Sequence, residues 1–131
     1  MKNVITFTSI GILWVLANAA VAAEWHRFRG PEGNGYVPGN SELVTKLGKT
    51  TTAWTAPLPG RGLGSPIIAG DKVFVSAASG PEQRKLLILC FSDRDGSELW
   101  RRSFWATGRT MCHKKTCVAA PTPTTDGKYL Y

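Results

Sequence analysis

Alternating apolar and polar residues around a tight turn predict a β-hairpin over residues 65–75. This segment reads SPIIAGDKVFV, with apolar residues on both sides of a Gly-Asp pair. A tight hairpin turn needs φ > 0, which glycine adopts without strain and aspartate tolerates. Residues 122–131, TPTTDGKYLY, repeat the pattern around an Asp-Gly pair, with one residue fewer in the turn. The turn residues to which we assign structural roles are Gly70, Asp71, Asp126 and Gly127.

A second recurring pattern is a short β-type segment centred on a tryptophan. Residues 53–58, AWTAPL, are similar to residues 99–104, LWRRSF, so that two tryptophans occupy equivalent positions. The apolar run 86–91 precedes the second segment and is followed by the turn sequence DRDG. One unit therefore contains a hairpin, an apolar strand, a turn and a Trp strand, which is four strands in about 50 residues. Its predicted structural residues are Trp54, Trp100, Asp93 and Gly96.

This unit matches one blade of a β-propeller, in which four-stranded antiparallel sheets recur around an axis. We predict an all-β fold, because no stretch beyond the N-terminal segment keeps a 3.6-residue apolar period. A lone blade cannot bury both faces of its sheet, so we expect residues 24–131 alone to fold poorly and aggregate. The chain also stops inside an alternating run, which predicts an N-terminal fragment of a longer propeller. We divide it into a lead-in, 24–50, and roughly the first blade, 51–131.

The first 23 residues have the three parts of a secretory signal peptide. Lys2 precedes an apolar run over residues 4–17, and small residues follow over 19–23. The run is shorter than the roughly 20 residues that a membrane-spanning helix needs. A retained signal anchor is the alternative. We expect cleavage after Ala22 or Ala23, a periplasmic or secreted location, and no membrane span after cleavage.

The charge of the chain changes this picture little. Sixteen Lys and Arg residues against nine Asp and Glu give a net charge of +7. Charge alone would permit a nucleic-acid surface, but the basic residues are scattered as short pairs. Together with the predicted export, this scatter predicts no nucleic-acid partner.

The cysteines and their neighbours are the most unusual chemical feature. Cys90 lies in the apolar run 86–91 and is most simply a core residue. Cys112 and Cys117 flank the sequence HKKT, and an exported chain can form disulfides. The favoured interpretation is therefore that these two cysteines form a local disulfide or stay as free thiols. Two alternatives stay open. His113 and Lys115, with Arg61 from the Gly-rich turn 60–64, are candidates to face a ligand or cofactor. Thiolate and imidazole also suit zinc, copper or iron, and the candidate metal ligands are Cys112, His113 and Cys117.

Three of these segments resemble the pyrroloquinoline quinone (PQQ)-like repeat family of β-propellers. Residues 93–100, DRDGSELW, are similar to its strand–turn–strand signature, and residues 65–75 to its hairpin. Residues 25–35, WHRFRGPEGNG, resemble the start of secreted bacterial members. Together the segments cover most of residues 25–131. The resemblance implies a propeller of about seven to eight blades, in the periplasm or outside the cell.

The resemblance implies less about activity. The family includes quinoprotein alcohol dehydrogenases, which bind PQQ with calcium, and the BamB-type outer-membrane assembly factor, a lipoprotein scaffold without a cofactor. This chain has no adjacent cysteine pair like that of the dehydrogenases, and no cysteine at the signal exit to carry a lipid. We expect a binding or scaffold module without a cofactor and without activity in this part. Its expected partners are the other blades, with envelope proteins or a small-molecule ligand as further candidates.

The competing function is a PQQ-dependent dehydrogenase of alcohols or sugars, with its PQQ and calcium ligands in the missing blades. A third class is a hydrolase or other multidomain protein that carries this propeller at its N-terminus.

Overall fold

The described part of the chain forms one four-stranded antiparallel sheet, in the order β1-β2-β3-β4. The structure is a computed structural model and describes residues 24–37 and 44–131, so the predicted signal peptide lies outside the described residues. The all-β class and the four-stranded antiparallel unit are confirmed, while the propeller stays a prediction. The strands are β1 (Ile67–Ala69), β2 (Lys72–Ser79), β3 (Lys85–Ser92) and β4 (Glu98–Trp105).

A short 3-10 turn, Pro81–Gln83, joins β2 to β3 and is the helical element of the described residues. Across ranges 24–37 and 44–131, no helix has the length and apolar character to cross a bilayer. Glu82 and Gln83 have φ angles of 53° and 57°, in the left-handed region. This backbone costs a residue with a Cβ about 1–2 kcal/mol, so contacts around the turn must hold it in place.

The two predicted hairpins differ in how far they form. In the first, Gly70 has a φ of 58° and β1 pairs with β2 from Ala69 opposite Lys72. In the second, the hydrogen bonds between Thr124 and Tyr131 close the hairpin at 3.0 and 2.8 Å, but the arms, within residues 122–131, make only an isolated bridge between Thr125 and Leu130. Asp126 Oδ1 accepts hydrogen bonds from two nearby backbone N–H groups, at 2.9 and 2.7 Å. These local bonds favour a turn over a strand ladder.

The core lies on one face of the sheet, which we call the Trp54 face. Strand alternation places every second side chain of β2 and β3 on this face. Leu89 at its centre is 0% exposed, and Trp54 and Ala56 pack against it from outside the sheet. The predicted Trp strand at residues 53–58 therefore covers a sheet face instead of extending the sheet. The buried residues of this face are Val73, Ala77, Leu87, Leu89 and Phe91.

The opposite side, the Trp100 face, is only partly covered. Cys90 is fully buried there, as its apolar surroundings predicted, and it pairs with Trp100 of β4. The rings of Trp100 and Phe74 have their centroids 5.8 Å apart. Ala78 packs against Cys117 and Ala119 in a second, smaller cluster. Strand β4 itself is exposed along its whole length.

The Gly-rich segment 60–64 lies along β2 beyond the end of β1. Arg61 and Ala78 exchange two backbone hydrogen bonds of 2.8 Å, so this part is an extended edge segment and not the turn that the sequence predicted. A Cβ at Gly62 would collide with the carbonyl group of Ser76, and one at Gly60 with that of Ala78. The glycines are therefore needed for close backbone approach, a requirement that turn statistics alone do not reveal.

Candidate functional site

Trp54 binds to the turn between β3 and β4, and this contact is the most specific feature of the described structure. Its indole Nε1 donates a hydrogen bond of 2.7 Å to the carbonyl oxygen of Asp93. The ring lies against Gly96, where an added Cβ would come within 2.6 Å of the ring atom Cδ2. Gly96 also has a φ of 71°. Glycine is thus required at this position both by the backbone and by the indole.

The turn is built from local hydrogen bonds and is joined to the first hairpin. Asp95 Oδ1 accepts hydrogen bonds from the backbone N–H and the hydroxyl of Ser97, at 3.0 and 2.7 Å. The Asp93 N–H donates to the carbonyl of Asp71 at 3.1 Å, which connects the turn to the tip of the β1–β2 hairpin. The Asp71 carboxylate pairs with Lys72 at the surface, at 2.5 Å. The predicted structural residues Asp71, Asp93 and Gly96 therefore meet at one end of the sheet, under Trp54.

The pKa of Asp95 provides a test of this turn. The Ser97 backbone N–H, then its hydroxyl, then Ser92 hold the pKa of Asp95 below the value of an unperturbed aspartate. Because the folded pKa is depressed, the turn is stabilised above the unfolded pKa, and this stabilisation is lost as the pH falls through the folded pKa. We expect carboxyl ¹³C NMR to show Asp95 titrating at a higher pH in Ser97→Ala than in the natural chain. Identical titration in the two proteins would contradict the described turn.

Trp100, the repeat counterpart of Trp54, has no such turn beside it. It is 38% exposed and lines an open cleft together with Arg102 and the tip of the second hairpin. Among residues 24–37 and 44–131, no acceptor receives its indole Nε1–H. The two tryptophans that sequence similarity made equivalent therefore have different surroundings: one is docked and one is presented to a cleft.

The lead-in, residues 24–50, connects the two hairpins, a role that was not predicted from the sequence. Trp25 exchanges two backbone hydrogen bonds of 2.9 Å with Ile68 of β1. The His26 carbonyl accepts hydrogen bonds from the Thr125 N–H and the Thr124 hydroxyl, both at 3.1 Å. Two residues of the lead-in thus bridge the edge strand and the closing hairpin. No sequence motif predicts this bridging role, because the contacts are made mainly by the backbone.

The Cys112 loop, residues 112–118, packs at the other end of the sheet against Gln83. The Gln83 amide nitrogen donates to Cys112 Sγ at 3.3 Å, and its oxygen accepts from the Val118 N–H at 3.1 Å. Sequence reasoning missed Gln83, since a glutamine at the end of a short 3-10 turn carries no recognisable signal. It is nevertheless the side chain that holds both ends of the loop.

The candidate metal ligands and two of the candidate ligand-facing residues, His113 and Lys115, lie in the Cys112 loop, and Arg61 lies on the segment beside β2. Cys112, Cys117 and Cys90 are all free thiols, and Cys117 is buried. His113 Nδ1 accepts a hydrogen bond from the Lys115 N–H at 3.1 Å, within the loop. In the described ranges, no group of three His, Cys, Asp or Glu side chains is placed to hold a metal ion. Arg61 is exposed, and within the described chain no hydrogen bond joins its side chain to His113 or Lys115.

Comparison with protein-family models, with curated proteins and with solved structures gave no match.

Proposed function

We propose that this chain is a repeat unit of an exported β-propeller of the PQQ-like type, acting as a binding or scaffold module without a cofactor. The single observation that supports this most is the Trp54 contact. Residues 53–58 pack on the face of a four-stranded sheet, and the indole of Trp54 is hydrogen-bonded to the β3–β4 turn. In a propeller, each sheet face is likewise buried by the neighbouring unit.

The repeat relation supports the same proposal from the other side of the sheet. Trp100 stands in β4 at the position equivalent to Trp54 and lines an open cleft. Beside it runs an apolar groove lined by Leu86, Ile88, Val118 and Tyr131. An exposed apolar face next to an aromatic anchor suits contact with another protein surface. The module therefore works by presenting surfaces, and catalysis is not part of the proposal.

Sedimentation velocity of the purified chain over a concentration series tests the proposal. We expect self-association through the Trp100 face, weakened about tenfold by Trp100→Ser. Trp105→Ser is the matched control, because Trp105 lies on the same strand, pairs with Lys85 on the Trp54 side, and is 70% exposed. Equal effects of the two substitutions would count against a specific surface on the Trp100 face.

Two further results would overturn parts of the proposal. A monomer that melts sharply and cooperatively at every concentration would contradict the repeat unit, since a single unit should not be self-sufficient. Titration with PQQ and calcium, monitored by tryptophan fluorescence, tests the proposal that the module binds no cofactor. Saturable quenching together with dye-linked oxidation of alcohols or sugars would replace the scaffold by a quinoprotein dehydrogenase.

A further inference from the structure

Two thiols flank a closed β-turn in the Cys112 loop. The Thr116 N–H donates a hydrogen bond of 2.9 Å to the carbonyl of His113, which closes the turn around the two lysines. Cys112 precedes this turn and Cys117 follows it. Cys112 Sγ already crosses to the other arm, where it lies 3.8 Å from the carbonyl oxygen of Thr116, the residue bonded to Cys117. The fold therefore holds the two cysteines on facing arms of one turn.

The two thiols differ in access. Cys112 is half-buried, whereas Cys117 is only 4% exposed and packs against Ala78 of β2. A dissolved disulfide can therefore reach Cys112 first. Cys117 is shielded from outside reagents but stays within the same short loop, where loop closure costs little entropy.

Gln83 clamps this arrangement in its reduced form. Its amide donates to Cys112 Sγ and accepts from the Val118 N–H, so it spans the loop next to both cysteines. The backbone of Gln83 has a left-handed φ of 57°, a costly conformation that the surrounding contacts maintain. Strained backbone and a thiol contact thus occur at the same residue. A disulfide would draw Cys112 Sγ away from the Gln83 amide.

We propose that Cys112 and Cys117 form a reversible disulfide across the 113–116 turn, with a small-molecule or protein disulfide as the oxidant. The Cys112 thiolate attacks one sulfur of the oxidant and releases the first thiol, leaving a mixed disulfide. The Cys117 thiolate then attacks Cys112 Sγ and releases the second thiol. The two cysteines lose two electrons and two protons, and the oxidant gains them as two thiols. The proposal is independent of the scaffold function and of the propeller.

Equilibration of the full chain with glutathione disulfide and glutathione tests this exchange. After acid quenching and alkylation of free thiols, trypsin cuts at Lys114 and Lys115, between the two cysteines. An intraloop disulfide keeps the resulting peptides joined until a reductant is added, and we expect this joined species. Cys90→Ser should leave it unchanged. Cys117→Ser should abolish it and leave a mixed disulfide on Cys112. Separate peptides in the natural chain, with both cysteines alkylated or glutathionylated, would overturn the proposal.

The Gln83→Met variant tests the hydrogen bonds of the Gln83 side chain separately from the 113–116 turn. Methionine keeps the length of the side chain but donates no hydrogen bond to Cys112 and accepts none from Val118. A lost hydrogen bond of ordinary strength shifts the thiol–disulfide equilibrium toward the disulfide by about fivefold. Glu82→Gln, in the adjacent exposed position, is the control and should leave the equilibrium unchanged. If the equilibrium constant for disulfide formation were unchanged or lowered in Gln83→Met, Gln83 would not stabilise the reduced form.

Discussion

Replacing Gly96 by alanine should be among the most damaging single substitutions in this chain. Two independent costs add at this position. A left-handed backbone costs a residue with a Cβ about 1–2 kcal/mol. The new methyl group would also overlap the indole of Trp54, and such overpacking costs about 1–3 kcal/mol. We expect the free energy of unfolding of the self-associated chain, measured at one fixed protein concentration by urea titration with far-UV circular dichroism, to fall by about 2–5 kcal/mol.

Gly127→Ala separates the two costs. Gly127 has a φ of 89°, and a Cβ there would meet no atom within 4 Å. This control therefore carries the backbone cost alone, about 1–2 kcal/mol. Equal losses in the two variants would mean that the indole does not rest on Gly96 in solution.

Replacing Trp54 by alanine should have a comparable effect from the other side of the same contact. The substitution removes the ring from the core face and leaves the Asp93 carbonyl without its indole donor. Truncation of a packed tryptophan typically costs about 3–5 kcal/mol, and the partial exposure of Trp54 places the expected loss of unfolding free energy near the lower end, about 3 kcal/mol. Trp105→Ala, at a 70% exposed position, should change the same quantity by less than about 0.5 kcal/mol.

The double variant Trp54→Ala/Gly96→Ala tests whether the two residues act together. Once the indole is gone, an alanine at position 96 meets only the backbone cost. The second substitution should then cost no more than Gly127→Ala, so the pair should show a coupling energy of about 1–3 kcal/mol. If the free-energy changes of the two single substitutions were strictly additive, the indole of Trp54 and Gly96 would not be in contact.

The features that sequence predicted well are those encoded by local chemistry. Gly70 and Gly96 mark turns because few residues adopt φ > 0, and the apolar run 86–91 becomes the most buried strand because it pairs with β2 on one side and β4 on the other. Such signals lie within a few residues of the structure that they specify. They sufficed for the strand order of the whole sheet, since each antiparallel strand pairs with the next one along the chain.

The features that sequence missed depend on distant backbone contacts. The segment 60–64 looked like a turn, because glycine is common both in turns and where two backbones meet closely. Only the position of the Ser76 and Ala78 carbonyls distinguishes these cases. The role of Gln83 depends on a loop that begins 29 residues later, with Cys112.

The bridge made by Trp25 and His26 has a consequence for the order in which the molecule assembles. The contact of His26 with Thr124 spans 98 residues of chain, whereas the β-meander joins neighbouring strands. Contacts that close long loops carry the larger entropic cost and form late. Among the described segments, the lead-in is therefore the last to dock, although it precedes the sheet in the chain, and it docks only once the hairpin at residues 124–131 has formed.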